Sequence, residues 1–290
     1  MTHSTVSPVS FGTSGHRGII GDSFTHNHVK AIAVGVASLF KSTNNPTIVI
    51  GFDPRQGNSI EMDDNSFTQT LISTLNHYGI NTISYNNYVP TPLISWAIRH
   101  YKYEGGLILT ASHNPPEYNG IKFNPKNGAP APKDITNIIQ EIANQYLENP
   151  TPLPNKKGHH QLKSAPLKEF SQSIISALTT SGISLPTSFS KSLFVDVKHG
   201  ACGPVWQAIM QEINLDIHID HQHPRSDFGN IEPNPTKYDQ LNTGSNNVYF
   251  SAANDPDGDR HAVLDNTGNI VSPEEITIII AHYLTKKGVS

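Results

Sequence analysis

The 290-residue sequence has few of the features that mark secreted, membrane or nucleic-acid-binding proteins. A single cysteine, Cys202, excludes an internal disulfide framework and fits a reducing compartment. The longest apolar run, residues 31–40, is about half the length that spans a bilayer, and the N-terminal residues lack a signal-peptide pattern. The formal net charge is −4, with no basic patch for nucleic acid. These absences predict a cytoplasmic protein that binds neither membranes nor nucleic acid.

The composition that remains is globular, with 36% hydrophobic and 15% charged residues, and the length suits two domains. Short apolar runs alternate with segments of helical periodicity, which predicts a three-layer α/β domain. In the first half the predicted strands are 47–52, 80–85 and 106–110, and the predicted helices are 61–78, 92–101 and 134–147. The same alternation resumes later, with strands at 193–197, 215–219 and 248–253 and helices at 166–179, 203–213 and 273–286.

A proline-rich segment, residues 151–163, interrupts this alternation and predicts a linker. The predicted domains are therefore residues 1–150 and residues 164–290.

A polar loop with the sequence Thr-Ala-Ser-His-Asn-Pro, residues 110–115, follows the third predicted strand. Its serine, Ser112, lies at the carboxyl end of a strand, where α/β sheets place ligands. By composition alone the segment is an ordinary turn, but its exact six-residue sequence is a far more specific signal than its composition. Further along, Gly120 permits close approach of backbone to a ligand, and Lys122 offers a cation to a phosphate. A serine-hydrolase elbow is excluded, because it needs glycine two residues before and after the serine.

A second polar loop, with the sequence Asp-Pro-Asp-Gly-Asp-Arg, follows the predicted strand at 248–253. Its carboxylates, Asp255, Asp257 and Asp259, alternate along the chain and can converge on one hard divalent cation. The alternative is a solvated acidic turn that binds no metal. It is disfavoured because three crowded anions repel one another. An EF-hand is excluded, since its obligatory glycine and glutamate positions hold other residues here.

A third segment, residues 12–18, has glycine at every third position, which permits a tight loop that can face an anion. Arg17 in this loop offers bidentate donors to a phosphate. The spacing differs from the dinucleotide fingerprint, and no Walker A lysine follows.

The three segments, in this order, resemble the α-D-phosphohexomutases of the phosphoglucomutase/phosphomannomutase family. The resemblance covers the whole chain, as the first two of the family's four domains. It implies two consecutive three-layer α/β/α domains with mixed sheets. The sequence of residues 12–18, with His16 before Arg17, looks most like the glucose-phosphate branch of the family.

The resemblance implies a phosphotransfer between positions 1 and 6 of a hexose, through a phosphoserine and a bisphosphorylated sugar. Ser112 would be the phosphoserine, close to the aspartate loop, and would ligate Mg²⁺ through its phosphate beside Asp255, Asp257 and Asp259. The other implied site residues are Arg17 and Arg260 for the phosphoryl group, His113 and Lys122 for proton transfer and charge neutralisation, and Thr13, Ser14 and His16 for phosphate or substrate binding.

The sequence strings of the family's third and fourth domains, which recognise the sugar and its distal phosphate, are absent before Ser290. The chain is compatible with a piece of a longer protein and with a naturally short one. The implied ligands are hexose phosphate and hexose bisphosphate, and a separate C-terminal half is a candidate partner. Two other functions stay open: a non-catalytic module that binds metal and phosphosugar, and a slow phosphatase in which water replaces the sugar.

Overall fold

The computed structural model describes residues 6–12, 14–61, 63, 65–183, 192–213, 215, 217–237 and 248–288. It divides into two compact units, Met1–Ala165 and Pro166–Ser290. Each unit contains a mixed β-sheet and its own helices, as the resemblance implies. No helix within the described ranges combines the length and the apolarity needed to cross a bilayer.

The first unit is built on a seven-stranded sheet of order β1-β2-β6-β5-β3-β4-β7. Its strands are β1 (Phe11–Gly12), β2 (Gly15–Ile19), β3 (Thr47–Phe52), β4 (Asn81–Tyr85), β5 (Gly105–Leu109), β6 (Tyr118–Pro125) and β7 (His160–Lys163). Its helices are α1 (His26–Ser38), α2 (Phe67–His77), α3 (Thr91–Tyr101) and α4 (Lys133–Glu148). β3 pairs in parallel with β4 and β5, and β7 extends β4 in parallel, whereas β6 is antiparallel to β5 and β2.

The central strand β3 is covered on both faces, which explains its continuous apolar sequence. Ile48, Ile50 and Phe52 lie in the core cluster that also contains the apolar residues of α1 and α2. The opposite face meets α3, where a Cβ atom on Gly51 would lie 2.4 Å from Ile94. Local signals set the helix starts: the hydroxyl of Ser66, for example, accepts a hydrogen bond from the backbone N–H of Gln69 and caps α2.

The predicted linker, residues 151–163, extends further than the structure allows at its C-terminal end. Residues 160–163 form β7, with His160 in register with Thr82 of β4, so they belong to the first sheet. This strand is short, polar and at the sheet edge, and it therefore lacks the apolar alternation by which strands are predicted. β2 and β6 were missed for a similar reason, since glycine and polar residues interrupt both.

The second unit is built on a five-stranded sheet of order β12-β11-β10-β8-β9. Its strands are β8 (Ser192–Asp196), β9 (Ile217–Asp220), β10 (Val248–Asn254), β11 (His261–Leu264) and β12 (Ile270–Val271). Its helices are α5 (Leu167–Thr180), α6 (Gly203–Ile213) and α7 (Pro273–Lys286). β8 is parallel to β9 and β10, and β11 is antiparallel to β10 and β12. Val195 and Val197 pack with Cys202 in its core.

The last helix, α7, begins at a complete capping box formed by Ser272 and Glu275. None of its residues is buried, although its centre is strongly apolar. Ile278, Ile279 and Ile280 are 66%, 59% and 52% exposed. The helix is thus well specified locally but has little packing within the second unit.

Candidate active site

The loop that carries Ser112 leaves the carboxyl end of β5, in the middle of the first sheet. Ser112 is fully buried and has φ of 56°, a left-handed conformation that a non-glycine residue seldom adopts. Its backbone N–H donates to the Thr110 hydroxyl at 2.8 Å, and its own Oγ lies 3.4 Å from Nδ1 of His113. The surrounding contacts therefore hold a strained backbone at the predicted nucleophile, a pattern typical of functional sites.

Arg17 and Lys122 lie on β2 and β6, the strands next to β5 on one side of the sheet. Arg17 on β2 is directly opposite Gly120 on β6, and Lys122 is two residues further along β6, so all three share one face of the sheet. Arg17 Nη1 donates to Oδ1 of Asn114 in the serine loop at 3.0 Å. Lys122 is buried despite its charge. The structure thus brings Arg17, Ser112 and Lys122 to the same edge of the first sheet.

Gly120 is required on β6 by the close approach of β2 and the serine loop. A Cβ atom there would lie 2.5 Å from the carbonyl oxygen of His16 and 2.6 Å from that of Thr110. Both obstacles are backbone atoms, which cannot move aside as a side chain can. Glycine therefore lets β2, β6 and the serine loop pack together.

His16 lies on the opposite face of β2 from Arg17. Its ring stacks with those of Phe24 and His28, Nδ1 contacts the backbone of Ser10, and Nε2 contacts the carbonyl oxygen of Ser23 at 3.2 Å. These contacts anchor the strand, and substrate binding by His16 stays a prediction. A role for Ser14 in phosphate or substrate binding also stays a prediction, and Thr13 lies outside the described residues.

The stability of the protein is expected to fall as the pH drops below the ordinary histidine pKa of 6.5. Burial, and to a lesser extent nearby His28, lowers the pKa of His16. The unfolded chain therefore binds more protons than the folded chain below that pH, so acid favours unfolding. Urea unfolding at about pH 7.5 and about pH 5.5 measures the change.

In a His16→Gln variant this pH dependence should shrink without vanishing, because burial also lowers the pKa of His26 and His160. Replacement of the exposed His282 by glutamine is the matched control, and the change of its unfolding free energy with pH should equal that of the native chain. If the unfolding free energy of His16→Gln changed with pH as much as that of the native chain, His16 would not be a source of the pH dependence.

The aspartate loop of the second unit joins β10 to β11. Each of Asp255, Asp257 and Asp259 offers one carboxylate oxygen to a group whose members lie within 4.8 Å of one another, and the first two residues are buried. The loop is closed by Arg260, whose backbone N–H donates to Oδ1 of Asp255 at 3.0 Å, and by Gly258 with φ of 69°. The Arg260 side chain is exposed, with Nε 4.0 Å from Oδ1 of Asp259.

The electrostatics around this loop fit a cation site. Burial raises the pKa of the Cys202 thiol well above its usual range, and Asp255, Asp257 and Asp259 raise it further. Three oxygen donors without a sulfur or nitrogen ligand suit a hard ion such as Mg²⁺, which would also neutralise their mutual repulsion. The donor set therefore fits the predicted metal.

An Asp257→Asn variant is expected to bind Mg²⁺ on the order of 10-fold or more weakly, because a neutral oxygen replaces a charged one. The unfolding free energy of the metal-free protein should hold or rise, since repulsion among the carboxylates falls. Isothermal titration calorimetry with Mg²⁺ measures the affinity, and Glu274→Gln is the control, because it removes a carboxylate from the exposed start of α7. Unchanged affinity in Asp257→Asn would refute the metal assignment.

Two buried residues that the sequence analysis did not select, Asp53 and Arg55, contact the serine loop directly. Asp53 accepts a hydrogen bond from the Thr110 hydroxyl at 2.6 Å, and Arg55 Nη2 donates to the Asn114 carbonyl oxygen at 2.8 Å. The available signal was their place just after β3, which is parallel to β5 and ends at the same edge of the sheet.

Comparison with known proteins identifies both units. Residues 8–150 match the family model for phosphoglucomutase/phosphomannomutase alpha/beta/alpha domain I, and residues 169–268 match that for alpha/beta/alpha domain II. A phosphoglucosamine mutase of Thermoanaerobacter pseudethanolicus is 28% identical over 283 residues, which cover 96% of this chain and 60% of the relative. A phosphoglucomutase/phosphomannomutase of Thermococcus kodakarensis is 27% identical over 277 residues, covering 93% and 58%.

A crystal structure of a phosphoglucomutase/phosphomannomutase family protein from Burkholderia thailandensis has the same fold. It superimposes with a TM-score of 0.78 at 19% identity over 96% of this chain and 59% of that protein. The chain spans about 60% of the length of the curated relatives it matches. The predicted fold class and family resemblance are confirmed. The chain belongs to the phosphoglucomutase/phosphomannomutase family of α-D-phosphohexomutases and contains that family's domains I and II.

Proposed function

We propose that this chain carries the phosphoryl-transfer centre of a hexose phosphate mutase, with Ser112 as the residue that accepts and returns the phosphoryl group. The observation that supports this most directly is the buried Ser112 in a left-handed conformation at the carboxyl end of β5. Arg17 and Lys122 supply positive charge at the same edge of the sheet. Charge of this sign stabilises a phosphoryl group during transfer.

In the proposed step, Oγ of Ser112 forms a bond to the phosphorus of a hexose bisphosphate while the bond from phosphorus to the sugar oxygen breaks. The hydroxyl proton leaves Ser112, and the sugar oxygen gains a proton. Nδ1 of His113, at 3.4 Å from Oγ, is positioned to take part in this proton transfer. In the reverse step, the phosphoserine gives its phosphoryl group to the free hydroxyl of a hexose phosphate, which forms the bisphosphate again and restores the Ser112 hydroxyl. Addition at one position of the sugar and removal from the other moves the phosphate between positions 1 and 6.

The proposed holder of Mg²⁺ is the group of Asp255, Asp257 and Asp259, with an oxygen of the Ser112 phosphate as a further ligand. A bound Mg²⁺ would draw negative charge from the phosphoryl oxygens, which favours their transfer. This role for Mg²⁺ follows from the family resemblance. It predicts that Asp257→Asn slows phosphoryl uptake at Ser112 as well as weakening metal binding.

The proposed sugar is glucose, from the resemblance of residues 12–18 to the glucose-phosphate branch. The relatives described above are named for glucosamine, glucose and mannose phosphates. The test therefore incubates the chain with Mg²⁺ and each 1,6-bisphosphate of glucose, mannose or glucosamine in turn. Intact-mass and fragment-mass measurements should show one added phosphoryl group, on Ser112, and its release when the matching hexose phosphate is added.

The two other candidate functions give different outcomes in the same experiment. Binding of the bisphosphate without a gain in mass would contradict phosphoryl transfer and support a non-catalytic module. Uptake followed by release of inorganic phosphate, with no transfer back to sugar, would support a slow phosphatase. Activity of a whole mutase, a separate C-terminal half as partner and a cytoplasmic location stay proposals.

A further inference from the structure

The structure assigns Asp53 and Arg55 the role of positioning residues that fix the conformation of the Ser112 loop for phosphoryl transfer. This inference rests on the proposed function for its catalytic consequence, but the contacts that carry it are independent of any substrate. Both side chains are fully buried, and they form an ion pair in which Arg55 Nε donates to Oδ2 of Asp53 at 3.0 Å.

Every N–H group of the Arg55 guanidinium has an acceptor. One of its five donors binds Asp53, and the other four bind backbone carbonyl oxygens of the serine loop and of the first residue of β6. Those four acceptors are the carbonyl oxygens of Ser112, Asn114, Pro115 and Tyr118. A rigid planar fork therefore fixes the backbone from the nucleophile to the start of β6.

Asp53 completes the support on the other side of Ser112. Its Oδ2 accepts from the Thr110 hydroxyl at 2.6 Å, and that hydroxyl accepts from the Ser112 N–H at 2.8 Å. The N–H of Ser112 is thus held through Thr110 and Asp53, and its carbonyl oxygen is held by Arg55. With both peptide groups fixed, the left-handed φ of Ser112 is imposed by its surroundings, and so is the direction of its side chain.

The arrangement favours a geometric role for Arg55 over neutralisation of the phosphate charge. The guanidinium charge is already balanced by Asp53 at 3.0 Å, whereas a phosphoserine adds about −1.5 to −2 charges. A lysine at position 55 would keep the charge but has only three donors on a flexible stem, so it separates the two roles.

The test compares Arg55→Lys with the native chain in two measurements. Hydrogen–deuterium exchange of residues 110–118 reports the order of the loop, and we expect faster exchange in the variant. The rate of phosphoryl uptake at Ser112 from glucose 1,6-bisphosphate should fall on the order of 10²-fold at saturation, since small misplacement of a reacting group has effects of this size. The bisphosphate concentration that gives half the maximal rate should stay close to the native value.

Arg99→Lys on α3 is the matched control, because Arg99 is exposed, and it should behave as the native chain in both measurements. Thr110→Val and Thr110→Ser test the Asp53 side of the network should Arg55→Lys fail to fold. The valine variant removes the hydroxyl bridge and should exchange faster and react more slowly, whereas the serine variant keeps the hydroxyl and should retain the native values.

Native exchange in Arg55→Lys would overturn the inference, and so would faster exchange with a native maximal rate. A change confined to the half-saturating concentration would assign Arg55 to substrate binding instead and would also overturn it. If the native chain takes up no phosphoryl group, the proposed function fails, and the exchange measurements alone decide whether Asp53 and Arg55 fix the loop.

Discussion

A Ser112→Ala variant is expected to lose all phosphoryl uptake from hexose bisphosphate while retaining the native fold. Only the nucleophilic oxygen is removed, and no other group can replace it in forming the bond to phosphorus. The contacts of the Ser112 backbone with Arg55 and Thr110 do not depend on that oxygen. The intact mass after incubation with Mg²⁺ and bisphosphate measures the loss, and thermal unfolding checks the fold.

The matched control for this variant is Ser73→Ala, which removes one hydroxyl from α2 of the same unit. That hydroxyl donates to the carbonyl oxygen of Thr70 within the helix, and Ser73 lies outside the serine loop. The control should gain one phosphoryl group at the native rate. A phosphoryl group found on Ser112→Ala, on any residue, would show that the nucleophile has been misidentified.

The elements that could be predicted from the sequence are those with strong local signals. β3 is continuously apolar because both of its faces are buried, and α6 and α7 have helical periodicity with clear starts; all three have the predicted bounds. Glycine and polar residues interrupt β6, and β7 is a polar edge strand whose pairing with β4 is a tertiary interaction. Such strands form because a neighbouring strand offers hydrogen bonds, and that pairing cannot be inferred from the residues of the strand itself.

The site shows the same division between local and distant information. Ser112 and the three aspartates were selected because each motif follows a predicted strand and has a specific wording. Arg55 was missed because its four carbonyl partners lie 57 to 63 positions further along the chain, and any residue type supplies a backbone carbonyl. A position just after a strand of the same parallel sheet was the one usable signal, and it also applies to many structural residues.

The chain by itself is expected not to interconvert hexose 1-phosphate and hexose 6-phosphate at the rate of a full-length family member. The bisphosphate intermediate must be held while it turns around, which requires donors for the phosphate distal to Ser112 and a pocket for the sugar hydroxyls. The family resemblance places these groups in third and fourth domains, whereas this chain matches the family models for domains I and II and spans about 60% of the length of a curated relative. Losing such positioning removes part of an effective-molarity advantage that reaches roughly 7–11 kcal/mol in well-oriented systems.

Each 1.4 kcal/mol or so of that advantage corresponds to a tenfold change in rate, so even a partial loss reduces turnover by orders of magnitude. A coupled assay for glucose 6-phosphate formed from glucose 1-phosphate, with Mg²⁺ and a bisphosphate primer, measures the rate. Phosphoryl uptake at Ser112 should survive in the same preparation, which separates a missing substrate site from an inactive nucleophile. Adding a separately produced C-terminal half of a relative should raise turnover if it supplies the missing donors. Robust turnover by the chain alone would show that domains I and II are sufficient to hold the intermediate.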